Sequence, residues 1–590
     1  MRKVRKPATN QDIARTLSEI SDYLAMEDEP FRPLAYGRAA RAVQEIEEPV
    51  TGIYKEGGIK ALLEIPGVGA SIAEKIAELI DTGRIAYYEE LKRAAPIQMS
   101  DMTRIEGVGP KTVRKLYEEL GVKTLTDLER AAKAGKIRAI PGFGEKTEEN
   151  ILKGISFVKK TGGRFVLGLI EKDVVELAER LRKEKTVREV TIAGSIRRRK
   201  ETIGDADILA VADNPEALMA SFVSQPEVTH VYAHGETRSS VKLVSGIDVD
   251  LRIVPRKSYG AAMNYFTGSK EHNVALRTRA IQRGYKLNEY GLFKRLAGDK
   301  EGKRVAGDNE EELYRALGMD YIPPELREAR GEIEAAEAGR LPTLIPYDSL
   351  RGDLQVQTSW SDGEHSIIEM ARAAYERGLQ YMAVTDHTKR LAMTHGLDER
   401  RLKHQGKEID DANRFLAGEG IDFTILKSTE CDVLRDGTLD LSDEALASLD
   451  LVGIAVHSHF HLSRREQTER IVRAMRNPNV DIVFHPTGRV LNKREAYEVD
   501  MERIIAVAKE TGVVLEIDAY PDRLDLDDLA ARRCVEEGVL LVIDSDAHHA
   551  SHFDYLAYGI GQARRGWVEA KNVINTRPLR DMLKLLRRNR

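Results

Sequence analysis

With 590 residues, 42% hydrophobic and 32% charged, the chain exceeds what one core organises and is too apolar for a disordered polymer, so roughly three to five domains are expected. The net charge of -5 hides an uneven placement of basic and acidic residues and does not exclude a nucleic-acid partner. Two cysteines, Cys431 and Cys534, exclude a disulfide framework and a cysteine-based zinc site, as a reducing cytosol would lead one to expect. No apolar run approaches the roughly 20 residues a membrane helix needs, and the basic start MRKVRK lacks the apolar stretch of a secretion signal, so a cytoplasmic location without membrane attachment is expected.

From about residue 10 to 160 apolar positions recur at helical spacing with short glycine-containing connections, which predicts an all-α region. One frame occurs there repeatedly: Ile65-Pro66-Gly67-Val68-Gly69, Ile105-Glu106-Gly107-Val108-Gly109 and Ile140-Pro141-Gly142-Phe143-Gly144, each followed by a lysine-containing helix. Glycine permits a tight turn and close approach to a ligand, and the next helix offers free amides and a positive dipole end to phosphate. Gly67, Gly69, Gly107, Gly109, Gly142 and Gly144 are therefore expected to grip the DNA backbone without reading its sequence, in the manner of helix-hairpin-helix modules.

From about 163 to 256 alternating, β-branched runs such as VREVTIAGS, ADILAVA and IDVDLRIVP predict an α/β sheet domain. Gly194-Ser195-Ile196-Arg197-Arg198 is followed five residues later by Gly204-Asp205-Ala206-Asp207. Asp205 and Asp207 alternate along a strand, so both carboxylates share a face, and Asp250 on a later strand supplies a third. Such a trio suits two Mg2+ or Mn2+ ions that activate a primer hydroxyl and neutralise a leaving pyrophosphate. Ser195 and Arg198, with the backbone around Gly194 and Gly204, stand where triphosphate oxygens would be held.

Mixed segments continue to about 320, and 321–349 combines proline with charge in the manner of a linker. Beyond it short apolar strands alternate with amphipathic helices, each strand ending in a polar or histidine residue, which predicts a parallel, barrel-like domain with its chemistry at the strands' carboxyl ends.

At these residues the chain resembles the family X DNA polymerases, the group that includes DNA polymerase beta. The GS-x-RR and GDAD motifs mark the wider nucleotidyltransferases, and Tyr265-Phe266-Thr267-Gly268-Ser269 with Asn273, Arg277 and Asn288-Glu289-Tyr290 narrows the match. The resemblance implies that Tyr265, Phe266, Gly268 and Asn273 contact the incoming deoxynucleoside triphosphate, and that Asn273 and Arg277 face the minor-groove side of the nascent pair. It makes Asp250, not Asp248, the third ligand, with Arg252 beside it. Lys270 stands where the family has aspartate. Near the start, Ala35-Tyr36-Gly37-Arg38 and Gly69 to Lys75 resemble the family's deoxyribose-phosphate lyase domain, with Lys75 at the Schiff-base position and Ser71 where a second lysine is common.

Residues 350–590 resemble the polymerase-and-histidinol-phosphatase (PHP) domain of many bacterial members. The matching pieces are Asp362, Asp386-His387, Glu430, His457, His485-Pro486 and Asp546-Ala547-His548, a ring suited to Mn2+ or Zn2+. Two family histidines are Gln355 and Gln357 here, and Asp518 replaces the usual asparagine, so this site is expected to bind metal and hydrolyse phosphodiesters more weakly. The implied layout is a lyase-like region at 1–90, tandem hairpins at 91–160, a palm at 161–256, a nascent-pair domain at 257–320, a linker at 321–349 and the PHP domain. The expected protein is a monomer that fills short gaps in primed or gapped DNA. The competing reading is a DNA-end-binding repair scaffold carrying a degenerate phosphoesterase.

Overall fold

The computed structural model describes residues 10–27, 31–46, 49–103, 105, 108–161, 163–391 and 394–589. Two compact units emerge, one of Met1–Arg164 with Val244–Gly246 and Asn492–Arg494, the other of Phe165–Leu243, Ile247–Leu491 and Glu495–Arg590.

The first unit is built from helices, Asn10–Met26 through Glu145–Thr161. The repeated frame has a packing reason. Ile65, Val68, Ile105, Val108 and Ile140 are buried in the unit's one core, so the apolar members anchor each turn while the glycines face outward. Gly67 and Gly142 take φ of +77° and +86°, the left-handed region that glycine enters without a Cβ clash. Gly107 lies outside the described residues. The third turn is stapled by the buried Glu148, which accepts from Ile137 N and Arg138 N at 3.0 Å each.

The second unit opens with a five-stranded palm sheet in the order Val187–Ile192, Asp205–Ala212, Asp248–Ile253, Arg238–Leu243, Val228–His234. Only the pair Asp205–Ala212 and Asp248–Ile253 runs parallel. The following helices Tyr259–Thr267 and Lys270–Gln282 and a three-stranded antiparallel sheet surround a core of Leu276, Leu292, Leu313 and Tyr314.

The stretch 321–349, expected as a linker, is instead part of that core: Ile322, Leu326, Ile333, Ala336 and Leu344 pack into it. Several of its charged residues are buried in ion pairs rather than solvated. Arg327 is 0% exposed and donates to Glu310 Oε1 at 2.6 Å, and Glu332 pairs with His272 Nδ1 at 2.6 Å. Proline and charge read as solvent exposure because sequence does not reveal that charges such as Arg327 and Glu332 meet buried opposites.

From Gly352 onward all eight strands of two sheets pair in parallel, and single bridges Val356–Ala547 and His387–Glu430 join the sheets into a distorted barrel. Both strand faces are buried, as parallel sheets require. Tyr381, Ala383, Val514 and Val542 enter one cluster, and Met382, Val384, Leu515 and Ile543 enter the other. Among the described residues no helix is long and apolar enough to cross a membrane.

Candidate functional site

In the palm, parallel pairing puts Asp207 directly beside Asp250 and Asp205 beside Asp248. Burial, then the charges of Asp205 and Asp250, push the Asp207 carboxyl up to about 6. Carboxylates crowded at this cost form a site that a divalent cation would relieve, and all-oxygen donors fit Mg2+ or Mn2+. Asp250 accepts from Arg238 Nη2 at 2.8 Å and from Ser240 Oγ, with Arg252 at 3.7 Å. Asp248 pairs with Lys242 at 2.8 Å.

The turn before this pair is held by geometry. Gly194 has φ +62°, and a Cβ there would stand 2.7 Å from Asp207 Oδ2, so the main chain closes on the carboxylate as only glycine allows. Ser195 follows half-buried on the short helix Gly194–Arg197, and Gly204 is exposed at the start of the Asp205 strand. Arg197 donates to Thr267 Oγ1 at 2.7 Å and to Glu310 at 3.1 and 2.6 Å. Arg198 donates to Thr267 O and, through Nε, to Glu328 Oε1 at 3.1 Å. Both arginines thus grip the Thr267–Gly268 turn. Tyr265 and Phe266 meet edge to face at 5.0 Å, and Arg252 lies 4.6 Å over the Phe266 ring. Asn273 donates to Tyr265 O at 2.7 Å, while Arg277 and Lys270 are exposed. Arg252 therefore joins the aromatic pair to Asp250 in one contact chain. Arg238, Ser240 and Glu310 were not found by sequence reasoning, since nothing local distinguishes them from ordinary strand and helix residues.

In the first unit a groove of 780 Å³ is lined by Arg32, Tyr36, Arg38, Gly67, Gly69 and Ser71, among others. Lys75, one turn further along the helix Ala70–Thr82, donates to Ser71 Oγ at 3.0 Å and lies 5.3 Å over the Tyr87 ring. Gly109 caps the helix Pro110–Leu120, and Gly144 precedes Glu145–Thr161. Lys115 of the former helix donates to Pro141 O in the third turn.

The barrel's strand ends gather a second site. His387 ligand atoms group within 4.8 Å with Asp362 and His548 on one side and with Glu430 and His457 on the other. Glu430 Oε1 is 2.7 Å from His485 Nε2 and 3.2 Å from His457 Nε2, and its Oε2 is 3.1 Å from His387 Nδ1. Burial alone would raise the Glu430 carboxyl, but His387 and His457 hold it well below the usual range. Burial likewise opposes charge on His457, yet Glu430 and Asp432 outweigh it and push that imidazole up to about 9. Asp546 pairs with Arg523 at 3.5 Å, which Asp518 also meets at 3.5 Å, and its Oδ1 lies 3.9 Å from Nδ1 of His548 at the edge of the first group.

The two glutamines differ. With its amide nitrogen turned to Glu516, Gln355 donates to both carboxylate oxygens, at 2.5 and 3.2 Å. Glu516 belongs to a fully buried acid cluster with Asp353, Asp518 and Asp544, all raised chiefly by burial. Gln357 donates to Glu430 Oε2 at 2.9 Å, and its own Oε1 is buried without a partner among the described residues. A neutral oxygen therefore remains beside Glu430, so the His387, Glu430 and His457 group fits a cation, while the Gln355 end presents its amide nitrogen to Glu516. The cluster's signal in the sequence was the Glu516-Ile517-Asp518 alternation.

A carboxylate trio on adjacent strands, a glycine-closed turn and a paired arginine grip define the palm of a nucleotidyltransferase. Residues 262–328 match the DNA polymerase beta thumb, 8–85 a helix-hairpin-helix domain and 99–156 a SAM-like helix-hairpin-helix tandem. The chain is 36% identical over 582 residues to the DNA polymerase/3'-5' exonuclease PolX of Bacillus subtilis (strain 168), covering 98% of this chain and 99% of that protein. It is 23% identical over 352 residues to DNA polymerase lambda of Rattus norvegicus, 54% of this chain and 56% of that one. Against DNA polymerase lambda of Arabidopsis thaliana it is 23% identical over 356 residues, 55% and 63% of the two chains. The chain belongs to the family X DNA polymerases, DNA-binding nucleotidyltransferases, and carries a further α/β domain after the polymerase.

Proposed function

We propose that the chain fills short gaps in primed or gapped duplex DNA during repair, using deoxynucleoside triphosphates, and acts as a cytoplasmic monomer. The observation that carries this reading is the contact chain from Asp207 and Asp250 through Arg252 to the Phe266 and Tyr265 rings. Asp205, Asp207 and Asp250 would hold Mg2+ or Mn2+, which supplies Lewis-acid activation of the primer hydroxyl and charge for the leaving pyrophosphate. Ser195 and Arg198 hold the triphosphate, the Gly194 turn keeps Asp207 in place, and the Tyr265–Phe266 pair lies against the sugar. The hairpin glycines Gly67, Gly69, Gly109, Gly142 and Gly144 hold the DNA backbone. Lys75 is the nucleophile for a deoxyribose-phosphate lyase step.

A second activity, removal of nucleotides from a 3′ end, is supported by the unpartnered Gln357 Oε1 beside Glu430. The His387, Glu430 and His457 group would hold Mn2+ or Zn2+, with Asp362, His548 and His485 at its margin.

Extension and 3′-end degradation on a gapped, 5′-phosphorylated duplex with Mg2+ or Mn2+ test both. Asp205→Ala should abolish extension and spare degradation, and His485→Ala should do the reverse. Absence of extension by the unaltered chain under either metal would overturn the polymerase reading and favour the DNA-end scaffold.

A further inference from the structure

The loop after the phosphate-holding turn, residues 198–201, is held by one face of a helix in the carboxyl-terminal domain. Tyr558, Gln562 and Arg565 lie on Leu556–Arg565 at spacings of four and three, the period that aligns side chains on a helix face. Arg199 lies 5.3 Å over the Tyr558 ring and pairs with Glu171. Gln562 donates to Glu201 Oε2 at 3.4 Å, and Arg489 donates to the same oxygen at 2.7 Å. Gly561 permits the approach, since a Cβ there would meet Arg199 Nε at 3.0 Å.

Arg565 makes the decisive contacts. It is 4% exposed, donates to the main-chain oxygen of Arg198 at 2.8 Å, and donates to Glu328 Oε1 at 2.9 Å and Asp528 Oδ2 at 2.6 Å. Glu328 Oε1 is also the acceptor for Arg198 Nε. One guanidinium therefore fixes the Arg198 backbone and shares the carboxylate that holds the Arg198 side chain. Removing it would leave Glu328 to neutralise Arg198 alone and would free the loop's main chain.

We propose that Arg565 is a positioning residue for the polymerase reaction, setting Arg198 for the triphosphate through Glu328 and the Arg198 carbonyl, so that the carboxyl-terminal domain serves nucleotide binding as well as any hydrolysis. This role rests on Arg198 binding the triphosphate, as proposed above. Both acceptors take Nη1, and the planar fork holds that nitrogen in place by donating from Nη2 to Asp528, an anchoring that a lysine ammonium, a single point charge, lacks.

The test is single-nucleotide gap filling by the full-length chain, with KM for the deoxynucleoside triphosphate and kcat measured separately for Arg565→Gln, Arg565→Lys and Glu328→Gln. Arg377→Gln serves as control, since Arg377 pairs with Asp554 on the exposed surface of the same domain at 2.6 Å. Arg565→Gln should raise KM about tenfold or more with kcat changed far less, as expected for a lost ground-state contact. Arg565→Lys should recover part of the loss, and adding Arg565→Gln to Glu328→Gln should cost less than the two separately. Should Arg565→Gln fail to fold, Arg565→Lys carries the test, with an intermediate rise in KM supporting the proposal. A KM within twofold of the unaltered chain for the folded variant, or an equal rise in Arg377→Gln, would overturn it. Failure of the unaltered chain to extend, or extension by Asp205→Ala, would overturn the polymerase reading instead.

Discussion

Glu310→Gln should destabilise the thumb by about 3 kcal/mol. Glu310 is buried between Arg197 and the fully buried Arg327, and it also accepts from Tyr321. Burial alone would raise its carboxyl, but Arg327 and Arg197 hold it down from an ordinary 4.5 to about 2. At about 1.4 kcal/mol for each tenfold step, that depression is worth roughly 3 kcal/mol to the folded state. Removing one member of a buried pair costs a similar amount, roughly 3–5 kcal/mol. Because the folded value is the lower one, the stabilisation is complete above the unfolded value of 4.5 and fades as pH falls toward 2. Trp567 packs against the thumb core, and Trp360, the other tryptophan, lies elsewhere. Urea unfolding followed by Trp567 fluorescence in a Trp360→Phe background therefore reports on this region. The unaltered chain should exceed Glu310→Gln by about 3 kcal/mol at pH 7, with the gap narrowing between pH 5 and 3. A gap below about 1 kcal/mol at pH 7, or one that ignores pH, would refute the reasoning.

Gly194→Ala should lower gap-filling kcat by about tenfold or more while leaving DNA affinity unchanged, because its Cβ would displace Asp207 and the left-handed backbone costs about 1–2 kcal/mol. An active Gly194→Ala enzyme would show that the turn can move. Gln357→His should tighten Mn2+ binding by about tenfold in calorimetry and speed 3′-end degradation, since imidazole is the stronger ligand beside Glu430. Unchanged Mn2+ affinity would mean that the amide oxygen already serves as well.

What the sequence disclosed was chemistry that local pattern fixes. Asp205 and Asp207 had to share a face because they alternate, and the structure pairs Asp207 with Asp250 across parallel strands. The hairpin frame was legible because its apolar members must enter a core. What stayed hidden came from long-range pairing. Arg238 reaches Asp250 only because two strands are antiparallel, and Glu328 meets Arg565 across 237 positions. The segment 321–349 misled for the same reason, since its charges find partners as distant as Asp528 and Arg564. In the barrel, His387, Glu430 and His457 were foreseeable at strand ends, but the pairing of Asp546 with Arg523 was not.

The burial of 321–349 in the thumb bears on any attempt to separate the two catalytic halves. A gene cut after residue 320 would strip Arg327 from Glu310 and Glu332 from His272, leaving each acid or base stranded in a half-emptied core. The natural seam of the sequence is thus not a seam of the molecule. A recombinant polymerase half must run through Leu344 at least to keep its core filled. Even then Arg330 and Glu325 lose Asp528 and Arg564, their partners on the other side. Domain shuffling at this joint would have to carry matched residues on both sides.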